Sequence, residues 1–299
     1  MGLSTVVIAG VTGDLGGRIG LQLLHRGCQV RAIIRPTTSN EIIRTLQSQG
    51  FECVESSYDL ASLTALCSGA DCVVSALNGL GHTIITQQGA LLDAAVAAGV
   101  PRFIPSDFSL DYTRTQPGQN RNMDLRRTFR TRLKAASIQA TSILNGAFST
   151  VLTHDAPILL PKWNRVLHWG EQSQMLDFTT KDDVADFTAD AALDRNPPRD
   201  LRIAGGSASP QEIASIASQL SGKKYRTLRA GGIGTLGRAI SIIKTVAPSP
   251  HDIFPAWQGM QYLRDMMSGR GLLTPLDNDR YGKKDWTSIK AMLATLFIA

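Results

Sequence analysis

Three glycines stand at the spacing G-x-x-G-x-x-G where Thr5-Val-Val-Ile-Ala runs into Gly10, Val11, Thr12, Gly13, Asp14, Leu15 and Gly16. A β-branched run ends at the first glycine, and Ile19, Leu21, Leu23 and Leu24 follow in a helical pattern. The chemistry this spacing suits is the binding of a dinucleotide pyrophosphate. Glycine reaches backbone angles closed to other residues, and its missing Cβ lets phosphates approach the main chain. The helix that follows offers N–H groups and a partial positive charge at its start. Gly10, Thr12, Gly13, Asp14, Leu15 and Gly16 are therefore candidate cofactor contacts.

The next strand, Gln29-Val-Arg-Ala-Ile-Ile, ends in Arg35, and no carboxylate appears before Glu41. A site for NAD usually carries Asp or Glu there, to accept from the ribose 2′-hydroxyl. A cation suits a 2′-phosphate instead, so the expected cofactor is NADP(H). Other candidates follow from the strand ends, where ligands of open parallel sheets collect. These are Leu77 and Asn78 after the fourth strand, Ser106 and Asp107 after the fifth, and Asn145 and Phe148 after the sixth, with Asp59 expected on the adenine side. For each of these a role in loop capping or packing stays open. Tyr-x-x-x-Lys, a common proton-donating pair of carbonyl reductases, is absent: the positions four after Tyr58, Tyr112, Tyr225, Tyr262 and Tyr281 are Ser62, Gln116, Arg229, Met266 and Asp285.

Strand patterns at 5–10, 29–35, 51–57, 71–77, 102–106 and 139–145 alternate with helical ones at 15–26, 39–49, 61–67, 83–98 and 121–136. That rhythm predicts an α/β fold, a doubly wound parallel sheet with helices on both faces. After residue 150 the rhythm breaks. Pro157, Pro161, Trp163 and Trp169 mark a loop-rich stretch, and Ser209-Pro-Gln-Glu212 reads as a helix start. The expected domains are residues 1–150 as the nucleotide-binding domain, with 176–205 returning to it, and 151–175 with 206–299 as a smaller, mostly helical substrate lobe.

A 299-residue chain with 43% hydrophobic and 19% charged residues is ordinary for a globular protein, and its net charge of +6 does not make nucleic acid the expected partner. One helix is locally basic, with Arg121, Arg126, Arg127, Arg130, Arg132 and Lys134 against Asp124. It reads as a solvated face, as a neighbour of an anionic ligand, or as a partner patch. The four cysteines lie near core segments without metal-binding spacing, and the five histidines are scattered, so no metal site is expected. Neither a secretory signal nor a membrane-spanning run is read, and a cytoplasmic location is the expectation. Nothing in the sequence speaks to oligomeric state.

Four segments resemble the NmrA-like and isoflavone-reductase-like branch of atypical short-chain dehydrogenases. They are Gly10 to Gly16 with Arg35, Gln88 to Ala95 leading to Gly99-Val-Pro-Arg-Phe-Ile-Pro-Ser-Asp-Phe108, Ile138 to Phe148, and Asp177 to Ala185. The resemblance implies a Rossmann core with a small C-terminal lobe, NADPH as cofactor, and a cleft for a small, often aromatic, molecule. It also implies that Phe148 packs against the nicotinamide. One departure stands out: the plant reductases carry a lysine proposed to assist proton transfer at about the position of Arg126 or Arg127, and arginine's pKa is too high for that task.

These readings converge on an oxidoreductase that passes hydride from NADPH to a small electron-poor substrate of quinone, enone or iminium type. Such acceptors need no strong protein acid, and the site would supply orientation and electrostatics. Arg126, which could stabilise a developing anion, and Asp107 are the candidate catalytic side chains. Asn145, Trp257 and Tyr262 are candidate substrate contacts, the last two equally readable as lobe core. The alternative is a regulator that binds NADP(H) without turning it over and senses redox state for a partner protein. A dehydratase or epimerase with tightly held NAD conflicts with Arg35 and the missing Tyr-x-x-x-Lys.

Overall fold

A computed structural model describes residues 3–152, 158–282 and 285–297; Pro157 lies outside the described residues. The chain divides into two compact units. The first comprises residues 1–108, 125–143 and 184–201, and the second residues 109–124, 144–183 and 202–299.

The first unit is built on six strands: β1 (Thr5–Ala9), β2 (Gln29–Ile34), β3 (Glu52–Glu55), β4 (Cys72–Ser75), β5 (Arg102–Ile104) and β6 (Gln139–Ala140). They form one parallel sheet in the order β3-β2-β1-β4-β5-β6. Central β1 pairs on both sides, Ile8 lying opposite Ala32 and Val74. Every residue of β1 and β4 is buried, as apolar strands covered on both faces must be. The strand order reverses between β1 and β4, so the loops after these two strands flank a crevice of the kind that binds nucleotides.

Connecting helices α1 (Asp14–His25), α2 (Asn40–Ser48), α3 (Leu60–Cys67), α4 (Gln88–Ala97) and α5 (Arg121–Ala135) follow the expected boundaries closely, and α6 (Lys181–Leu193) comes later in the chain. The helix expected over 83–98 begins with a π-helical turn at His82–Gln87. The expected sixth strand is cut at Thr141, whose hydroxyl donates to the Pro198 carbonyl (2.9 Å). The core packs Leu63, Leu91, Leu92, Phe103 and Phe129 against the sheet. Arg26, after α1, holds Asp186 (2.6 Å) and Asp190 (2.7 Å) of α6. Three of the four free cysteines are buried, and burial pushes the Cys72 thiol up to about 12.

The chain crosses between the units within α5 and α6, whose first residues belong to the second unit, and within β7 (Ser142–Leu144) and β12 (Asp200–Arg202). Among the described residues, the second unit holds two three-stranded sheets. One joins β8 (Ala147–Phe148), β11 (Leu176–Thr179) and β13 (Gly206–Ala208); the other joins β9 (Leu159–Leu160), β10 (Arg165–Trp169) and β14 (Arg226–Gly231). Its helices are α7 (Pro210–Ser221), α8 (Ile233–Val246), α9 (Ala256–Met267) and α10 (Ile289–Ala294). Helix α7 starts with the capping box read from Ser209 and Glu212.

This division departs from the expected domains in two places. Strand β11 pairs with β8 and β13, so the expected returning segment splits, and only residues 184–201 of it join the sheet unit. Residues 109–124 also belong to the second unit: Asp111 pairs with Arg202 (2.7 Å) and Asn120 donates to Asp265 (2.8 Å). The second unit is thus comparable in length to the first and carries sheets as well as helices.

Candidate functional site

Gly10 has φ +88°, and a Cβ there would stand 2.6 Å from the Ala76 carbonyl oxygen. At Gly16 a Cβ would lie 2.2 Å from the Gly10 carbonyl oxygen. Both positions therefore exclude any side chain, for reasons of turn geometry and close strand–helix packing. Gly13 donates its N–H to the Gly10 carbonyl (3.0 Å) and caps α1 without any side-chain hydrogen bond. The start of α1 thus faces outward as bare backbone, the arrangement that receives a phosphate. Thr12, Gly13 and Asp14 are exposed and Leu15 is half-buried. The Asp14 carboxylate is turned along the helix to Arg18 (2.6 Å). A cavity of about 510 Å³ adjoins the turn, lined by Val11, Thr12, Gly13, Arg18, Glu41 and Thr45 among others.

Arg35 follows β2 directly, exposed and, among the described residues, paired with no carboxylate. Tyr58, which the sequence reading missed, stands near it. The Tyr58 backbone is left-handed at φ +65°, and burial pushes its hydroxyl up to about 12 against the pull of the Arg35 cation. No spacing signal marks Tyr58, because its place depends on how β2 and β3 pair. Its neighbour Asp59 caps α3, accepting from the Ser62 N–H (2.9 Å) and from the hydroxyls of Ser62 (2.6 Å) and Ser57 (2.9 Å). These bonds hold the Asp59 carboxyl at about 2, below its ordinary 3.8.

The ends of β4 and β5 are tied together. The Ser106 hydroxyl donates to the Leu77 carbonyl (2.5 Å), and the Ser106 N–H donates to buried Gln88 (2.8 Å). Asn78 is exposed beside them. Asp107 is buried, and its carboxylate accepts from the Ser142 hydroxyl (2.6 Å), which accepts in turn from Arg199 (2.8 Å). Asp107 thus lies within an internal network. The basic helix α5 is neutralised in part: Arg130 grips Asp200 through two bonds (2.5 and 2.8 Å) and Arg132 holds Asp93 (2.5 Å). Arg126 is half-buried on the same helix.

In the second unit, the chain turns at Asn145 and Gly146 into β8 (Ala147–Phe148). Gly146 has φ +65°, and a Cβ there would meet the Asp177 carbonyl oxygen at 2.5 Å. Fully buried Asn145 accepts at its carbonyl from the Thr179 hydroxyl (2.7 Å), while its Oδ1 has no partner among the described residues. Tyr262 is drawn into this turn: its hydroxyl donates to the Gly146 carbonyl (2.8 Å) and accepts from the Leu110 N–H (2.8 Å). The pairing of β8 with β11 sets Phe148 opposite Thr179. Two residues on, Lys181 opens α6 with its ammonium 6.0 Å from the centre of the half-buried Phe148 ring. Trp257 is enclosed at 2% exposure, its Nε1 donating to the Pro248 carbonyl (2.9 Å), with Arg121 and Lys244 at 4.6 and 5.2 Å from its ring.

No group of three or more His, Cys, Asp or Glu side chains among the described residues could hold a metal ion, and no helix among them is long and apolar enough to cross a membrane.

The sequence profile described as the NmrA-like family matches residues 3–244. Pinoresinol reductase 1 of Arabidopsis thaliana is 28% identical over 240 residues, covering 73% of this chain and 75% of its own. Among solved structures, that of leucoanthocyanidin reductase from Vitis vinifera with NADPH superposes with a TM-score of 0.82 at 19% identity, covering 99% of this chain and 100% of its own. Another, described as an isoflavone reductase, gives 0.83 at 20% identity, with the same coverage.

Proposed function

The chain belongs to the NmrA-like family, and we propose that within it this protein is an NADPH-dependent reductase of a small, electron-poor, conjugated or aromatic molecule. The observation that carries this reading is the pairing of a side-chain-excluding glycine turn with the exposed guanidinium of Arg35. The curated relatives it matches are named reductases, which favours turnover over the sensing alternative.

The residues fit the cofactor. The backbone from Gly10 to Gly16 would hold the pyrophosphate, and Arg35 the 2′-phosphate, by charge-assisted hydrogen bonds. Leu77, Asn78 and Ser106 would border it where β4 and β5 end. When bound, NADPH supplies hydride. Phe148 presents a flat apolar face for a planar ring, and the Asn145–Phe148 turn is rigid because Tyr262, Thr179 and the strand pairing all hold it. Orientation of this kind lowers the barrier without a chemical role for the residues that provide it. Tyr262 supports this turn, Trp257 is enclosed beside Pro248, Arg121 and Lys244, and Asp107 and Asp59 hold hydrogen bonds within the first unit.

Stopped-flow oxidation of NADPH against a panel of quinones, enones and iminium ions tests the reading. Turnover with at least one class is expected, and no turnover with any would overturn it. Calorimetry tests the cofactor assignment: Arg35→Ala should weaken NADPH binding about 10–100-fold and leave NADH unchanged. Equal NADPH affinity in the variant would remove Arg35 from the site.

A further inference from the structure

We propose that α8 and the chain around it form a docking face for an anionic lipid bilayer, on whose surface the second unit rests without crossing it. The proposal does not depend on the reductase reading.

The first observation is charge. The chain holds 31 Lys and Arg against 25 Asp and Glu, and between Glu212 and Asp252 it holds six Lys and Arg and no carboxylate. Outside that stretch the two kinds are equal in number, so the whole net charge of +6 resides in it. The six are Lys223, Lys224, Arg226, Arg229, Arg238 and Lys244, and all are exposed. Lys244 stands 5.2 Å from the uncharged ring of Trp257, and none of the six makes an ion pair among the described residues. Elsewhere the cations are matched: Arg26, Arg130, Arg132 and Arg202 each hold a carboxylate.

The second observation is apolar surface on the same segment. Helix α8 packs Leu236 and Ile240 inward. Arg238, Ile242 and Val246 fall on one i, i+4 row and are turned to solvent. Phe254 is held at the same end of the helix, because Trp257, three residues later, donates its Nε1 to the Pro248 carbonyl (2.9 Å), two residues past the end of α8. Ile242, Val246 and Phe254 are 62%, 74% and 66% exposed. A single exposed apolar residue is ordinary; three at one helix end, beside unpaired cations, mark an interaction surface.

The two observations together select the occupant. A second copy of this chain would set like charge against like charge across a two-fold axis. Nucleic acid would use the cations and leave the apolar side chains in water. An anionic bilayer uses both. Its surface potential attracts Lys and Arg, and apolar side chains that project from a helix need no preformed pocket to enter the acyl boundary. With 14 residues, α8 is about 21 Å long, too short for a hydrocarbon core of about 30 Å, so it lies along the surface.

The test is flotation of the full chain with phosphatidylcholine vesicles, alone or mixed with an equal part of phosphatidylserine. Wild type should float with the mixed vesicles and not with the neutral ones, and raised salt should release it. Variants are checked for fold by circular dichroism and thermal melting, and their NADPH affinity should equal that of wild type. Arg229→Glu with Arg238→Glu should weaken association with the mixed vesicles at least about tenfold, and Ile242→Ser with Val246→Ser by at least about as much. Leu60→Ser, at an exposed apolar residue of the first unit, should change nothing. No flotation of wild type with the mixed vesicles would overturn the proposal, as would unchanged flotation of either double variant. Binding to poly-glutamate or duplex DNA in place of the mixed vesicles would give the face to an acidic protein or a nucleic acid. A dimer in size-exclusion chromatography that Ile242→Ser with Val246→Ser dissolves, without vesicle binding, would give it to a second copy. Each of these also overturns the proposal.

Discussion

The glycine turn of the first unit and the Phe148 turn of the second are built in opposite ways. The first is seven consecutive residues in which backbone does the recognition, and it needs only its own strand, its own helix and the edge of β4 beside it. The second gathers Leu110, Asn145 to Phe148, Thr179, Lys181 and Tyr262 from four distant stretches of chain, held by hydrogen bonds of 2.7–2.8 Å and a two-residue strand pairing. A contiguous backbone site tolerates change almost anywhere except at its glycines. A dispersed side-chain site depends on each tie that draws its pieces together.

Breaking the first region should have the largest effect. Gly16→Ala drives a methyl group into the Gly10 carbonyl, where the Cβ position lies only 2.2 Å from that oxygen. Calorimetry should show NADPH affinity lowered at least about 100-fold, with stability in urea reduced by about 1–3 kcal/mol. Normal NADPH binding by a folded variant would dissociate the turn from the cofactor.

A smaller loss is expected in the second region. Tyr262→Phe removes the hydroxyl shared by Leu110 and Gly146 and should destabilise the fold by about 1–3 kcal/mol. It should slow turnover while leaving NADPH affinity unchanged. A variant as stable and active as wild type would mean that the turn holds its shape without this tie.

The smallest effect concerns Asp59 and sharpens what belongs to the first region. Its carboxyl is held at about 2, below 3.8, so it is the ionised form that the fold stabilises. That contribution is complete above the unfolded value of 3.8 and is lost as pH falls toward 2. Asp59→Asn should therefore flatten the acid limb of a stability–pH curve between those values and leave NADPH affinity as it was. A fall in NADPH affinity would return Asp59 to the adenine side, where its position after β3 had suggested it.

Legibility in the sequence followed the range of the interactions. Strand and helix boundaries in the first unit were readable because periodicity and glycine caps are local: Gly27 and Gly99 follow helices α1 and α4 at φ +75° and +70°. The basic helix misled in part, since the acceptors for Arg130 and Arg132 lie 70 and 39 residues away. Tyr262 was recognised as a residue of interest, yet its hydroxyl bonds residues more than 100 positions distant. Lys181 was passed over because nothing around it in sequence refers to Phe148.

From sequence alone came the parallel sheet, the side-chain-free bend and the guanidinium beside it. Each is an instruction to the backbone or a residue type at a strand end, and each acts over a few residues. Only the tertiary structure decided how the chain divides, which charges neutralise one another, and that an ammonium stands over the Phe148 ring. These depend on strand pairing and packing between segments far apart in the chain, and pairing of that kind leaves no local pattern to read.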